Sequence, residues 1–177
     1  MRAFKNIVDL LEPSELAITR ESCALCRFPV SVRLCKKDIG VRCPQCGASA
    51  ISQSLVEALN QNVSTLRECD AYELSSSGVL VHFLKRRTRS LTLSEFFEDV
   101  PVGQRSDSGI RCEDVQALTF ADKSFDLCTS TEVFEHVASD AAAFSEVFRV
   151  LRPGGALIFT VPLSDSPREG LIKSANT

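Results

Sequence analysis

No stretch of the 177-residue chain approaches the roughly 20 consecutive apolar residues of a membrane-spanning helix, and its start lacks the apolar core and cleavage site of a secretory signal. A cytoplasmic protein without membrane contact is therefore expected, with its eight cysteines mostly reduced. Positive charge is not in excess either: 20 Lys and Arg stand against 23 Asp and Glu, which argues against a globally basic nucleic-acid binder. The charge is uneven, however. Residues 1–50 hold eight basic and five acidic side chains, whereas residues 93–150 hold four and twelve, so only the front end suits an acidic partner. Glycine is scarce, and no GxGxxG run follows a strand-like segment, which speaks against a dinucleotide-dependent oxidoreductase. Histidine is limited to His82 and His136.

Cysteine, by contrast, is present in a pattern. Cys23-Ala-Leu-Cys26 and Cys43-Pro-Gln-Cys46-Gly47 are separated by 16 residues, inside the range at which two CxxC knuckles converge on one zinc ion. Each knuckle turns two thiolates toward one metal, and Gly47 permits the tight backbone such a turn needs. Four thiolates close the tetrahedron and leave no position for water, so a structural Zn2+ is expected in a segment with little apolar content of its own. Cys35 is the spare thiol between the knuckles, in a hairpin made basic by Arg33, Lys36, Lys37 and Arg42. Ahead of the ribbon, Phe4, Ile7, Val8 and Leu11 repeat at helical spacing before Glu12-Pro13.

After residue 50, strand and helix signals alternate, the pattern of a parallel sheet with helices on its faces. Ile51, Leu55, Val56 and Leu59 predict a connecting helix, with a boundary at Asn60–Asn62. A first strand falls near Asp70–Leu74, followed by a helix with Val79, Leu80, Phe83 and Leu84 inward and His82 partly buried among them. Ser90–Phe97 reads as the second strand, the third ends near Cys112, and Phe125–Ser130 is the fourth. Ser139 is a good N-cap for a helix whose Phe144, Val147, Phe148 and Leu151 share one core face, ended by Pro153-Gly154-Gly155. Ala156–Val161 is then a continuous apolar strand of the kind covered on both faces.

Within this stretch, Asp114-Val-Gln-Ala-Leu-Thr-Phe, Ser124-Phe-Asp, Glu135-His136-Val and Glu146-Val-Phe-Arg-Val-Leu-Arg-Pro-Gly-Gly155 resemble, in order and spacing, the central block of class I S-adenosylmethionine-dependent methyltransferases of type 11. The resemblance covers roughly residues 70–163. It implies an α/β fold, a Rossmann-like, mostly parallel sheet with flanking helices, preceded here by the small zinc-ribbon module. The expected division is 1–19 N-terminal helix, 20–50 ribbon, 51–66 connecting helix and 67–177 methyltransferase domain. By the same resemblance Asp114 sits beside the adenine of S-adenosylmethionine and Val115 flanks the ring. Glu73, Ser75 and Gly78 touch its methionine end, although ELSSSG carries serines where the family has a glycine-rich loop. Glu95, 22 residues after Glu73, takes the ribose, with Glu98 and Asp99 as competitors. Thr131 and Glu132 lie near the methionine or sulfonium, and His136 is a weak candidate base that more often serves the loop's structure.

The expected activity is methyl transfer to an unidentified acceptor. After the fifth strand only Pro162–Thr177 follow, too few to complete the family's sheet, so the expectation is either a truncated relative or a second copy or partner over the edge of strand 156–161. The alternative is a noncatalytic ribbon binding module carrying a degenerate methyltransferase remnant.

Overall fold

Short strands, a four-cysteine cluster and two helices build the first of two compact units. The computed structural model describes residues 11–36 and 40–162, so the helix expected at residues 4–11 lies, apart from Leu11, outside the described residues, as does Lys37. One unit takes the chain up to residue 66 together with 77–87, the other 67–76 and everything from 88 onward. In the first, β1 (Ala17–Thr19), β2 (Ser31–Arg33) and β3 (Val41–Arg42) form an antiparallel sheet in that order. Ala17 pairs with Arg33 and Val32 with Arg42. Residues 17–19 are therefore strand rather than the end of a helix, and the ribbon begins before residue 20. Pro13 starts a single 3-10 turn, where its missing N–H costs nothing.

Helix α1 (Ala50–Asn62) starts where the Ser49 hydroxyl accepts from the Ser52 amide at 3.2 Å. It ends at Asn62, within the boundary expected at Asn60–Asn62, and buries Leu55, Val56 and Leu59. It packs against α2 (Val79–Lys85), which buries Leu80, Val81, Phe83 and Leu84 and leaves His82 exposed. Helical spacing alone had set His82 among apolar neighbours; its position points outward.

The second unit is built on β4 (Asp70–Glu73), β5 (Ser90–Glu95), β6 (Arg111–Cys112), β7 (Phe125–Thr131) and β8 (Leu151–Thr160), all paired parallel in the order β6-β5-β4-β7-β8. The chain moves outward from β4 to β6, then restarts at β7 on the other side of β4. That reversal makes a topological switch point between β4 and β7, beside whose carboxyl ends open α/β sheets bind ligands. The sheet is Rossmann-like, and α3 (Asp140–Val150) packs against β8. Ser139 caps α3 as expected, accepting from the Ala142 amide at 3.2 Å.

The inward face of α3 differs from the expectation. Ala143, Val147 and Val150 are buried, while Phe148 is 82% exposed. Phe144 instead stacks on Phe134, and Phe159 meets both edge-on. Pro153–Gly155 do not separate helix from strand either: β8 begins at Leu151 and takes them into a bulge, so that Phe125 pairs with Leu151 but Leu127 with Ala156. Gly154 has φ +81°, and a Cβ on Gly155 would lie 2.9 Å from the Arg152 carbonyl oxygen. Among the described residues β8 is the edge of the sheet, with Phe159 and Val161 each 40% exposed, so 156–161 is not covered on both faces.

One side chain ties α3 to the loop beyond β6. Arg149 donates to the carbonyls of Leu118 and Phe120, to Asp122 and to Glu146, all at 2.8–2.9 Å, and Glu146 in turn accepts from the Leu118 amide at 2.8 Å. The side chain is only 30% exposed, so water replaces these bonds incompletely. Arg149→Ala should lower unfolding free energy by about 2 kcal/mol in urea titration; a change under ~0.5 kcal/mol would show that the clamp is redundant.

Candidate functional site

The carboxyl ends of β4, β5 and β6 each deliver an acid. Glu73 ends β4 fully buried and is held across the switch point by the Thr129 hydroxyl of β7; the Ser75 hydroxyl donates to its other oxygen at 2.7 Å. Burial pushes this carboxyl up to about 7, the Glu95 carboxylate adds to the push, and the two hydroxyls oppose it. Glu95 ends β5, and its Oε1 accepts from both the amide and the hydroxyl of Ser76, at 3.0 and 3.1 Å. Its Oε2 takes no hydrogen bond among the described residues, and Glu98 and Asp99 are exposed on the loop beyond.

Beyond β6, Asp114 uses Oδ1 to accept from the Gln116 amide at 2.9 Å and its side-chain nitrogen at 3.2 Å, an Asx-type turn that leaves Oδ2 without a partner among the described residues. Val115 is buried beside it, with Leu118 in the same apolar cluster. The neighbouring Glu113 was not singled out by sequence, yet its side chain is fully buried. It accepts from Arg111, from the Thr119 hydroxyl and, at 2.9 Å, from the Thr119 amide, while the Arg111 guanidinium lies 4.8 Å from the Phe120 ring centroid. Glu113 thus closes the turn that presents Asp114. Two adjacent acids look alike in sequence; only burial separates them.

At the end of β7, Thr131 is half-buried, and Glu132 adopts φ +53°, rare for a residue with a side chain, while its amide donates to the Thr160 carbonyl at 3.0 Å. Such strain concentrates at functional sites. His136 closes the 3-10 turn Phe134–His136; its side chain is 59% exposed and its Nε2 is 3.1 Å from Glu135. Burial pushes the Cys128 thiol up to about 12, so it stays a neutral core group. Gly78 belongs to the first unit, where it caps α2 with φ +104°.

In the ribbon the four sulfurs of Cys23, Cys26, Cys43 and Cys46 all lie within 4.8 Å of one another, with Cys23–Cys46 at 3.7 Å and Cys26–Cys43 at 3.5 Å. A Zn–S bond of about 2.3 Å implies a tetrahedral edge of ~3.8 Å, so the donor set is compatible with zinc. The two knuckles repeat one geometry: Arg27 and Gly47 donate to the carbonyls of Cys23 and Cys43, both at 2.9 Å, with φ +65° and +76°. At Cys43 burial is outweighed by the Cys46 and Gln45 amides, which bring its thiol down to about 7. Cys35 is buried apart from the cluster, against Gly40, where an added Cβ would lie 2.5 Å from its sulfur.

The methyltransferase domain family matches residues 45–159. Among curated proteins, the chain is 39% identical over 56 residues to a malonyl-[acyl-carrier protein] O-methyltransferase of Erwinia billingiae, covering 32% of this chain and 22% of that one. It is 43% identical over 61 residues to a ubiquinone/menaquinone biosynthesis C-methyltransferase of Dinoroseobacter shibae, covering 34% and 24%. The chain thus spans about a quarter of the length of these relatives. Among solved structures it is similar to an S-adenosylmethionine-dependent methyltransferase from Mesorhizobium loti, at 22% identity and TM-score 0.47, over 60% of this chain and 52% of that one.

Proposed function

We propose, from the premise that the chain belongs to the methyltransferase domain family, that it is an S-adenosylmethionine-dependent methyltransferase with a structural zinc ribbon. The observation that carries the reading is that Glu73, Glu95 and Asp114 end three adjacent parallel strands beside the switch point, two of them with an oxygen left for a ligand. When bound, S-adenosylmethionine supplies a methyl group on a sulfonium, an electrophile that reacts by in-line positioning with little acid or base help.

The chain's own residues then have binding roles. Glu95 Oε2 accepts from ribose hydroxyls, Asp114 Oδ2 from an exocyclic amine, and Val115 offers an apolar wall to the ring. Glu73 and Ser75, with Thr131 and Glu132, face the methionine end; Gly78 is carried with them by motif. His136, mostly exposed and paired with its neighbour, serves its turn rather than a proton transfer. By their names the two curated relatives methylate an oxygen and a carbon acceptor, so likeness to them singles out no acceptor for this chain.

Isothermal calorimetry of the full chain with S-adenosylmethionine, and separately with S-adenosylhomocysteine, tests the reading. Micromolar binding of both is expected. Asp114→Ala and Glu95→Ala should each weaken it about tenfold or more without unfolding the chain. No binding by a demonstrably folded protein would favour a noncatalytic module, and an unchanged dissociation constant would remove that acid from the site.

A further inference from the structure

A glycine-rich loop offers only backbone amides, whereas here a side chain adds a hydroxyl to them. Ser76 lies three residues beyond the end of β4 and sends both its amide and its hydroxyl to one oxygen of Glu95, Oε1, at 3.0 and 3.1 Å. Both residues are partly buried. Two donors converging on one carboxylate oxygen fix the side chain's torsions and satisfy that oxygen, and such charge-assisted bonds are about twice as strong as neutral ones. The second oxygen is thereby turned into a single oriented acceptor. The neighbouring Ser75 makes the same kind of bond to Glu73, at 2.7 Å, so consecutive serines tie the loop to two acids on adjacent strands.

We infer that Ser76 is the positioning residue for Glu95, holding its Oε1 so that Oε2 alone reads the vicinal diol of a ribose. The inference rests on the cofactor reading above and adds the residue that sets the acceptor's direction. A glycine at this position keeps the amide bond and loses the hydroxyl bond, so the serine contributes something the usual loop chemistry does not.

The test is calorimetry of S-adenosylhomocysteine on the full chain and four variants: Ser76→Ala, Ser76→Thr, Glu95→Ala and the Ser76→Ala/Glu95→Ala double variant, each checked for an unchanged thermal midpoint. Ser76→Ala is expected to bind about fivefold to tenfold more weakly, Ser76→Thr to recover most of that loss through its hydroxyl, and Ser76→Ala to change nothing once Glu95 is alanine. An equal loss in both Glu95 backgrounds would make Ser76 a general loop support, and no loss in either would make it idle; both results overturn the inference while leaving cofactor binding intact. Failure of the folded wild-type chain to bind at all overturns the cofactor reading itself, and the inference with it.

Discussion

Stripping the metal from the ribbon is expected to unfold it. The three strands there are three, three and two residues long, and the buried side chains between Cys23 and Ala48 are chiefly small: Ala24, Leu25, Ala48 and three of the cysteines. So little apolar surface cannot offset the ordering entropy of some thirty residues. On the zinc reading proposed above metal binding does so, since structural zinc contributes on the order of 10 kcal/mol to folding in small ribbons and fingers. Purified chain should therefore carry one zinc per molecule by elemental analysis, and a strong chelator should erase amide protection across residues 17–36 and 40–48. Cys43→Ser with Cys46→Ser should reproduce that loss without chelator. Protein that is metal-free as isolated yet keeps those amides protected would sink the ribbon assignment.

The second large effect concerns Glu73. Its folded carboxyl stands at about 7 against an ordinary value of 4.5. Between those values the native state holds a proton that the unfolded chain has released, so stability is fully present below about 4.5 and is lost as pH rises through 7. The difference corresponds to at most ~3 kcal/mol. Urea titration at successive pH values from 5 to 7 should show this decline in the wild type and a nearly flat profile in Glu73→Gln, whose amide keeps the shape and meets the Ser75 and Thr129 hydroxyls. Asp70 and Glu146, pulled below their ordinary values by arginine hydrogen bonds, titrate on the acid side of this window and leave it undisturbed. A wild-type profile as flat as the variant's would mean that Glu73 is ionised and solvated in the folded chain.

Much of the sheet was legible because buried parallel strands announce themselves as short apolar runs: β4 and β7 begin where the pattern put them, and Ser139 marks the start of α3. The knuckles were legible because the convergence of four thiols is written in spacing. Phe148 misled because a periodicity count favours bulk, while the position facing the core is filled by small Ala143, with Val150 below it. The Pro-Gly-Gly run looked like a stop between elements and is instead a bulge inside one, since a bulge and a turn ask for the same residues. The acids of the site could be nominated by position along the chain. What holds them could not: neither Thr129 on Glu73 nor Ser76 on Glu95 leaves a trace in local spacing, and Glu113 differs from Asp114 only in what surrounds it.

The bond across the switch point also sets an order of events. Glu73 and Thr129 are 56 residues apart, so as the chain leaves the ribosome at roughly 5–20 residues per second the first acid waits several seconds for its hydroxyl partner. The ribbon has no such wait, because all four of its sulfurs emerge between Cys23 and Cys46. A nascent chain halted before β7 would thus hold all four ribbon thiols but lack the partner of its first acid, with the Glu73 carboxylate still in water and no carboxyl yet driven toward its neutral form.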